Sequence, residues 1–378
     1  MRSDNQGASD IEKFLKLDRS GVDSLDLGLP EPSFFKRWQE GLAALTLPGE
    51  WQYASPSETT KNALLNILPR YEGQYISSEV VICSGSQEAI FLLAMHLLSE
   101  KRFAIVDEFF YPNFKTALNN LGKDVVPVKS SQYHGFDLDQ LESILKERTD
   151  IGCIYTVPNG HNPQGWSLSI EKRKQLASLA VKHNVPIIED DPYRLINFSD
   201  IDLPSIKSFA PDHVYYVSTL SKIIAPSLRI GWITAPRKEV ERINRLKEGV
   251  NLNTITYTHT LATYFLNSYN LTEHLRHLNS HYVNNRNLMI NAVKKFFPEN
   301  SQYICPNHGF FIWVRIPGFN SLHKLEHAFH SMKVTYIPGS VFSTKESINS
   351  NEYFRLCYSN IHPDRIDNAI ERLSTLFS

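Results

Sequence analysis

Between residues 80 and 235 the chain repeats one pattern, a short apolar run followed by a longer stretch with helical spacing. The runs are 80–84, 103–106, 124–128, 152–157, 185–189, 213–218 and 230–235. Most are apolar throughout and rich in β-branched residues, as strands buried on both faces are. The stretches 87–99, 137–147 and 170–183 carry the helical spacing. Such alternation predicts an α/β fold, a mostly parallel seven-stranded sheet with helices on both faces.

The pattern changes near residue 240. A long helical region covers 237–297, with a break near 251–254, and strand-like runs follow at 310–316, 334–337 and 353–359. Helices at 321–331 and 363–377 separate or follow them. This predicts a smaller α+β domain beside the large one. The expected division is an N-terminal segment 1–45 that joins the small domain, a large domain 46–270 and a C-terminal small domain 271–378. A chain of 378 residues, 42% of them hydrophobic, has the material for both cores.

Charge and cysteine usage narrow the function. Lys and Arg number 39 and Asp and Glu 40, a net charge of −1 that offers no basic surface for nucleic acid. Cys83, Cys153, Cys305 and Cys357 are scattered and include no CxxC pair, which favours a reducing, cytoplasmic setting over a zinc cluster or a disulfide framework. The first 18 residues lack the apolar core of a signal peptide, and the longest apolar run, 89–98, is too short to cross a bilayer. No membrane partner is expected.

Chemistry concentrates at the ends of the expected strands. Lys222 follows the 213–218 run, with Thr219 and Ser221 just before it and Arg229 seven residues on. A poorly solvated lysine loses its proton readily and becomes a nucleophile, while hydroxyls and a guanidinium suit a phosphate dianion. A lysine with a phosphate site is what pyridoxal 5'-phosphate requires when it is held as a Schiff base. Asp190 ends the 185–189 run, where a carboxylate can pair with a protonated ring nitrogen, and Tyr193 lies three residues on, placed to donate to the ring's phenolic oxygen. Ser84-Gly85-Ser86-Gln87 follows the first run and opens a helix, so Gly85, Ser86 and Gln87 can meet an anion with main-chain N–H groups. Asn162-Pro163, after 152–157, can hold an amide toward a ring oxygen. Each piece also reads as an ordinary turn or salt bridge; their succession at strand ends is what points to one site. The 14 histidines are scattered, and neither His277 and His281 nor His308 has a metal-ligand pattern around it.

With those residues in place, the chain resembles the class I/II aminotransferases, which are fold type I pyridoxal-phosphate enzymes. The likeness runs from about Asp26 to the C-terminus and rests on the Lys222 segment, Asn162-Pro163-Gln164-Gly165, Asp190 with Tyr193, and Phe354-Arg355-Leu356, all in family order. The stretch SKIIAPSLRIGW is closest in style to the 2-aminoadipate and kynurenine aminotransferase branch. The resemblance implies an aminotransferase moving an amino group between an α-amino acid and a 2-oxo acid through a Lys222 Schiff base. It implies that Asp190 holds the ring nitrogen, that Asn162 and Tyr193 contact the phenolic oxygen and that Tyr111 stacks on the ring. It places Gly85, Ser86, Gln87, Thr219, Ser221 and Arg229 around the phosphate. It assigns the substrate carboxylate to Arg355, with Asn162 and Gly28 beside it. Tyr53 would reach the phosphate of a neighbouring subunit, which implies a homodimer with shared active sites. After Tyr53 the chain reads ASPSETTKNALL, without the glycine and Leu-Arg usual in the family. That departure keeps an alternative in view: elimination, decarboxylation or cyclisation of an amino acid on the same cofactor. No second arginine marks a site for an acidic side chain; Arg37 and Arg194 are the candidates.

Overall fold

The structure is a computed structural model, and it describes residues 19–31, 58–67, 77–131, 135–199, 201–268, 270–344 and 349–377. Its centre is a seven-stranded sheet. In chain order the strands are β1 (Val80–Cys83), β2 (Phe103–Asp107), β3 (Asp124–Val128), β4 (Ile151–Thr156), β5 (Ile187–Asp190), β6 (Val214–Thr219) and β7 (Gly231–Thr234). They lie side by side in the order β1-β7-β6-β5-β4-β2-β3. All pairs are parallel except the two made by β7, which runs against both β1 and β6. β1, β4, β5, β6 and β7 are buried along their whole length, which accounts for their unbroken apolar runs. Expected and observed strands agree within about two residues.

Among the described residues, one helix precedes the sheet and the others follow its strands. α1 is Glu58–Leu65, α2 Ser86–Leu97, α3 Pro112–Asn120, α4 Leu138–Glu147 and α5 Ile170–His183. Two use the capping chemistry that their sequences announce: Asp137 and Ser169 accept hydrogen bonds from the main-chain N–H groups of Gln140 and Lys172. α5 ends where Asn184 adopts the left-handed conformation. The long helical region is in fact three helices, α6 (Val240–Asn251), α7 (Thr256–Ser268) and α8 (Leu271–Phe296). The first break lies where expected. The second, at Asn270, is an N-cap whose side chain accepts from Glu273 N–H, a signal passed over in the sequence.

Beyond α8, β8 (Phe311–Arg315), β9 (Ile337–Pro338) and β10 (Tyr353–Cys357) form a three-stranded antiparallel sheet with β10 central. The expected single strand at 334–337 is two: Val334–Thr335 leaves that sheet and pairs in parallel with Asp23–Ser24. Helices α9 (Ser321–His327) and α10 (Pro363–Ser374) complete this part. The N-terminal segment is tied to it further by Cys357 N–H donating to Leu25 O at 2.7 Å and by Arg365 on Asp23 at 2.8 Å.

Candidate active site

The loops after β1, β2, β4, β5 and β6 open on one cavity of about 460 Å³. It lies at the carboxyl ends of the parallel strands, where open α/β sheets place ligands. Of the residues singled out in the sequence, Gly28, Ser86, Gln87, Tyr111, Asn162, Asp190, Tyr193, Thr219, Ser221, Lys222, Arg229 and Arg355 all line it. Gly85 sits just behind, under Arg229. Tyr53 and Arg37 lie outside the described residues.

Lys222 closes a single 3-10 turn, Leu220–Lys222, at the end of β6. Its Nζ donates to Gly28 O at 2.7 Å and stands 5.9 Å from the centre of the Tyr193 ring. Enclosure is the main cause that lowers its amine to about 8, and the neighbouring Arg355 adds to it. The turn is braced by Thr219, which accepts from Ser221 N–H at 3.1 Å and donates to Ile230 O at 2.6 Å.

Asp190 is the last residue of β5 and is buried. Its Oδ2 accepts from the Tyr155 hydroxyl at 2.7 Å, while its Oδ1 has no partner. Burial pushes its carboxyl up to about 7, against the pull of the Tyr155 bond. Tyr193 is wedged edge-on between Phe310 and Phe311, with ring centres 5.7 and 5.5 Å away. Tyr111 caps α3 and accepts from Asn113 Nδ2 at 3.0 Å; burial, with Asp190 nearby, raises its phenol to about 12.

Arg355, on β10, reaches the cavity through an aromatic sleeve. Its guanidinium carbon lies 4.1 Å from the centre of Phe311 and 5.0 Å from that of Phe342. It donates to Asn162 Oδ1 at 2.6 Å and to Asp26 O at 2.5 Å, while Nε is buried without a partner. Asn162 precedes a cis proline. Gly28 packs on Phe311 so closely that a Cβ would come to 2.6 Å from the ring, so any larger residue there would require the ring to shift.

Two structural facts suit a phosphate group, and one suits a pyridine ring. At Gly85 (φ 86°) an added Cβ would collide with the Arg229 guanidinium, so the glycine clears the way for that cation above the first turn of α2. Arg229 donates only to main-chain oxygens, Pro226 O and Ser84 O, and has no carboxylate partner among the described residues. The unpartnered Oδ1 of Asp190 is a buried acceptor in want of a donor, which a protonated ring nitrogen supplies. The residues present therefore fit pyridoxal phosphate.

Several cavity residues escaped the sequence reading. Leu27, Ile337 and Phe342 form apolar wall, and Asp26 offers a main-chain carbonyl. Arg194 does not face the cavity as a free cation; it is held by Asp202 at 2.6 Å. His308 packs beside the small sheet, 3.0 Å from Ser167 Oγ, and burial lowers it to about 4. A second groove, about 880 Å³, shares no residue with the cavity, and its Lys172 and Lys182 are bonded to Phe136 O and Glu142.

The family description "Aminotransferase class I and II" matches residues 56–373. The chain is 29% identical to aromatic-amino-acid aminotransferase 1 of Thermococcus litoralis, over 97% of this chain and 91% of that one. Its fold superposes on Pyrococcus horikoshii kynurenine aminotransferase, solved in complex with PMP, with a TM-score of 0.89, 26% identity and coverage of 100% and 94%. It superposes on alpha-aminoadipate aminotransferase of Thermus thermophilus, solved with N-(5'-phosphopyridoxyl)-L-leucine, with a TM-score of 0.88, 25% identity and coverage of 99% and 96%.

Proposed function

The chain belongs to the class I and II aminotransferases, pyridoxal-phosphate-dependent enzymes that move an amino group between an α-amino acid and a 2-oxo acid, and from that premise we propose which of its residues carry the reaction and on what substrates. The observation behind the proposal is that Lys222, Arg355 and Asp190 line one cavity, and that Asp190 keeps one buried oxygen without a partner.

Lys222 is the base at the substrate Cα. An amine lowered to about 8 is partly unprotonated near neutral pH and, once free of Gly28 O, can take a proton and return it. Arg355 grips the substrate carboxylate, with Asn162 beside it, and so fixes the Cα–H bond relative to Lys222. The cofactor, when bound, supplies the electron sink for the electrons left at Cα. Asp190 holds its ring nitrogen, Tyr193 and Asn162 its phenolic oxygen, and Tyr111 its ring face. Gly85, Ser86, Gln87, Thr219, Ser221 and Arg229 hold its phosphate. Gly28 lets the N-terminal segment close over the cavity.

The substrates we assign are α-amino acids with aromatic or large apolar side chains. Leu27, Leu29, Tyr111, Phe311, Ile337 and Phe342 line the cavity, and among the described residues its only cations are Lys222, Arg229 and Arg355. All three already have tasks, which leaves none among the described residues for an acidic side chain. A screen of single amino acids against the holoenzyme, reading cofactor absorbance and identifying the oxo acid, tests this; fastest turnover of aspartate or glutamate would refute it.

The reading includes a homodimer with shared active sites and Tyr53 reaching the partner's phosphate. Its support is the exposed apolar series Val250, Leu252, Ile255, Tyr257 and Tyr264. Asn251, beside this series, donates to Ser84 Oγ at 3.4 Å, just before the Gly85–Gln87 turn that we assign to the phosphate. It also includes the division into 1–45, 46–270 and 271–378, supported by the pairing of Asp23–Ser24 with Val334–Thr335. A cytoplasmic location is supported by four free cysteines, and no helix among the described residues is long and apolar enough to cross a membrane.

A further inference from the structure

Tyr155 is absent from the cavity wall, yet it touches the acid that lines it. It lies on β4, one strand from Asp190, and only 1% of it is exposed. A buried hydroxyl needs a partner, and here that partner is a single carboxylate oxygen, Asp190 Oδ2, at 2.7 Å. Phe114 of α3 stacks on the ring, at 4.0 Å between centres and 11° between planes. With Oδ2 taken by the hydroxyl, Oδ1 is left as the one oxygen of Asp190 without a partner.

We propose that Tyr155 is a positioning residue that keeps Asp190 an ionised acceptor and reserves its Oδ1 for the cofactor's ring nitrogen. The inference rests on Asp190 meeting that nitrogen, as proposed above. Burial raises the Tyr155 phenol well above its usual value, so it stays a donor at working pH. The other groups facing Asp190 are Asp191, which raises its carboxyl, Lys222, which lowers it, and the phenols of Tyr111 and Tyr193. Among the influences lowering Asp190, the Tyr155 bond is the largest. Without it, both oxygens would stand unbonded in a poorly solvated site. The carboxylate could then rotate and would take up a proton at higher pH.

The test is the dissociation constant of pyridoxal phosphate from the full chain between pH 5 and 9, for wild type, Tyr155→Phe, Phe114→Leu, Asp190→Asn and the Tyr155→Phe, Asp190→Asn double variant. Tyr155→Phe keeps the ring and its stack, so its melting temperature should stay within a few degrees of wild type. Its acid-side loss of cofactor should move up by about one pH unit, and its affinity at pH 7 should fall roughly tenfold, as expected for one hydrogen bond to a carboxylate. Phe114→Leu should loosen packing without moving that midpoint, and the tyrosine change should have no effect on the Asp190→Asn background. A Tyr155→Phe midpoint equal to wild type, an equal shift in Phe114→Leu, or an undiminished tyrosine effect on that background would overturn the inference alone. Wild-type protein that binds no pyridoxal phosphate at any pH would overturn the reading of the site and this inference with it.

Discussion

Lys222 Nζ donates to the main-chain carbonyl of Gly28 at 2.7 Å, a contact between residues 194 positions apart. Neighbouring carbonyls on either side repeat the arrangement: Asp26 O accepts from Arg355, and Leu29 O accepts from Ser359 Oγ at 2.6 Å. The N-terminal segment thus satisfies the amine and the guanidinium to which we assign catalysis and substrate binding. A substrate carboxylate that reaches Arg355 competes with Asp26 O for it, and an ionised group is the better acceptor.

Arg355 is accordingly the first residue to test. Arg355→Lys keeps the charge but loses the planar fork, so KM for the amino acid and for the oxo acid should both rise at least roughly tenfold, with a smaller change in kcat. Steady-state kinetics with both substrates checks this. A KM change confined to one substrate would not fit a shared carboxylate site.

Gly85→Ala places a Cβ against the Arg229 guanidinium at a backbone φ of 86°. The strained backbone should cost about 1–3 kcal/mol of stability. Displacement of Arg229 should weaken cofactor binding at least roughly tenfold, beyond any loss of stability. Thermal melts of the cofactor-free protein and a cofactor titration separate the two effects.

Asp190 gives a pH prediction with a definite sign. Its carboxyl ordinarily titrates near 3.8 and is raised to about 7 in the fold, so between those values the folded, cofactor-free protein holds the proton more tightly than the unfolded chain. Stability from this group is present at low pH and is lost as pH rises through about 7. Asp190→Asn removes that slope, so the variant's apoprotein should melt a few degrees above wild type at pH 8 and level with it at pH 4, while activity falls. Glu189, also raised to about 7 by burial, leaves a slope of the same sign in both proteins. Lys222 adds an opposite slope from about 8 up to 10.5, where the unfolded chain holds the proton more tightly.

Ile255 and Leu252 are 63% and 58% exposed on the segment between α6 and α7. A charged pair at these positions, Leu252→Asp with Ile255→Lys, should shift the oligomer toward monomer in sedimentation and reduce cofactor retention together, since Tyr53 is assigned to the partner's phosphate. Monomers that retain cofactor as well as wild type would separate the dimer from the site.

Most of this fold could be read from the sequence because its strands are buried on both faces. Residues 187–190 and 214–219 have no exposed face to disguise them; the first run ends on Asp190 and the second just before the turn that carries Lys222. Motif residues whose side chains line the cavity, such as Asp190 and Lys222, were legible because they stand at or just beyond strand ends. Two kinds of feature were not. Contacts through main-chain carbonyls, such as Asp26 O with Arg355, leave no mark in residue identity. Tyr155 sits within an apolar run and reads as core, because only the folded register sets its hydroxyl against Asp190. The divided strand at Val334–Thr335 and Ile337–Pro338 was hidden because both pieces belong to one continuous buried stretch while their partners belong to different sheets.

The most direct measurement is a single turnover of the holoprotein with L-phenylalanine, following cofactor absorbance and the oxo acid formed, in wild type and Lys222→Ala. With Lys222 as the base at Cα, wild type should release one oxo acid per site, and the variant should be slower by at least about a hundredfold at equal cofactor occupancy. A variant that turns over at the wild-type rate, or wild type that yields ammonia or carbon dioxide in place of the oxo acid, would contradict that role.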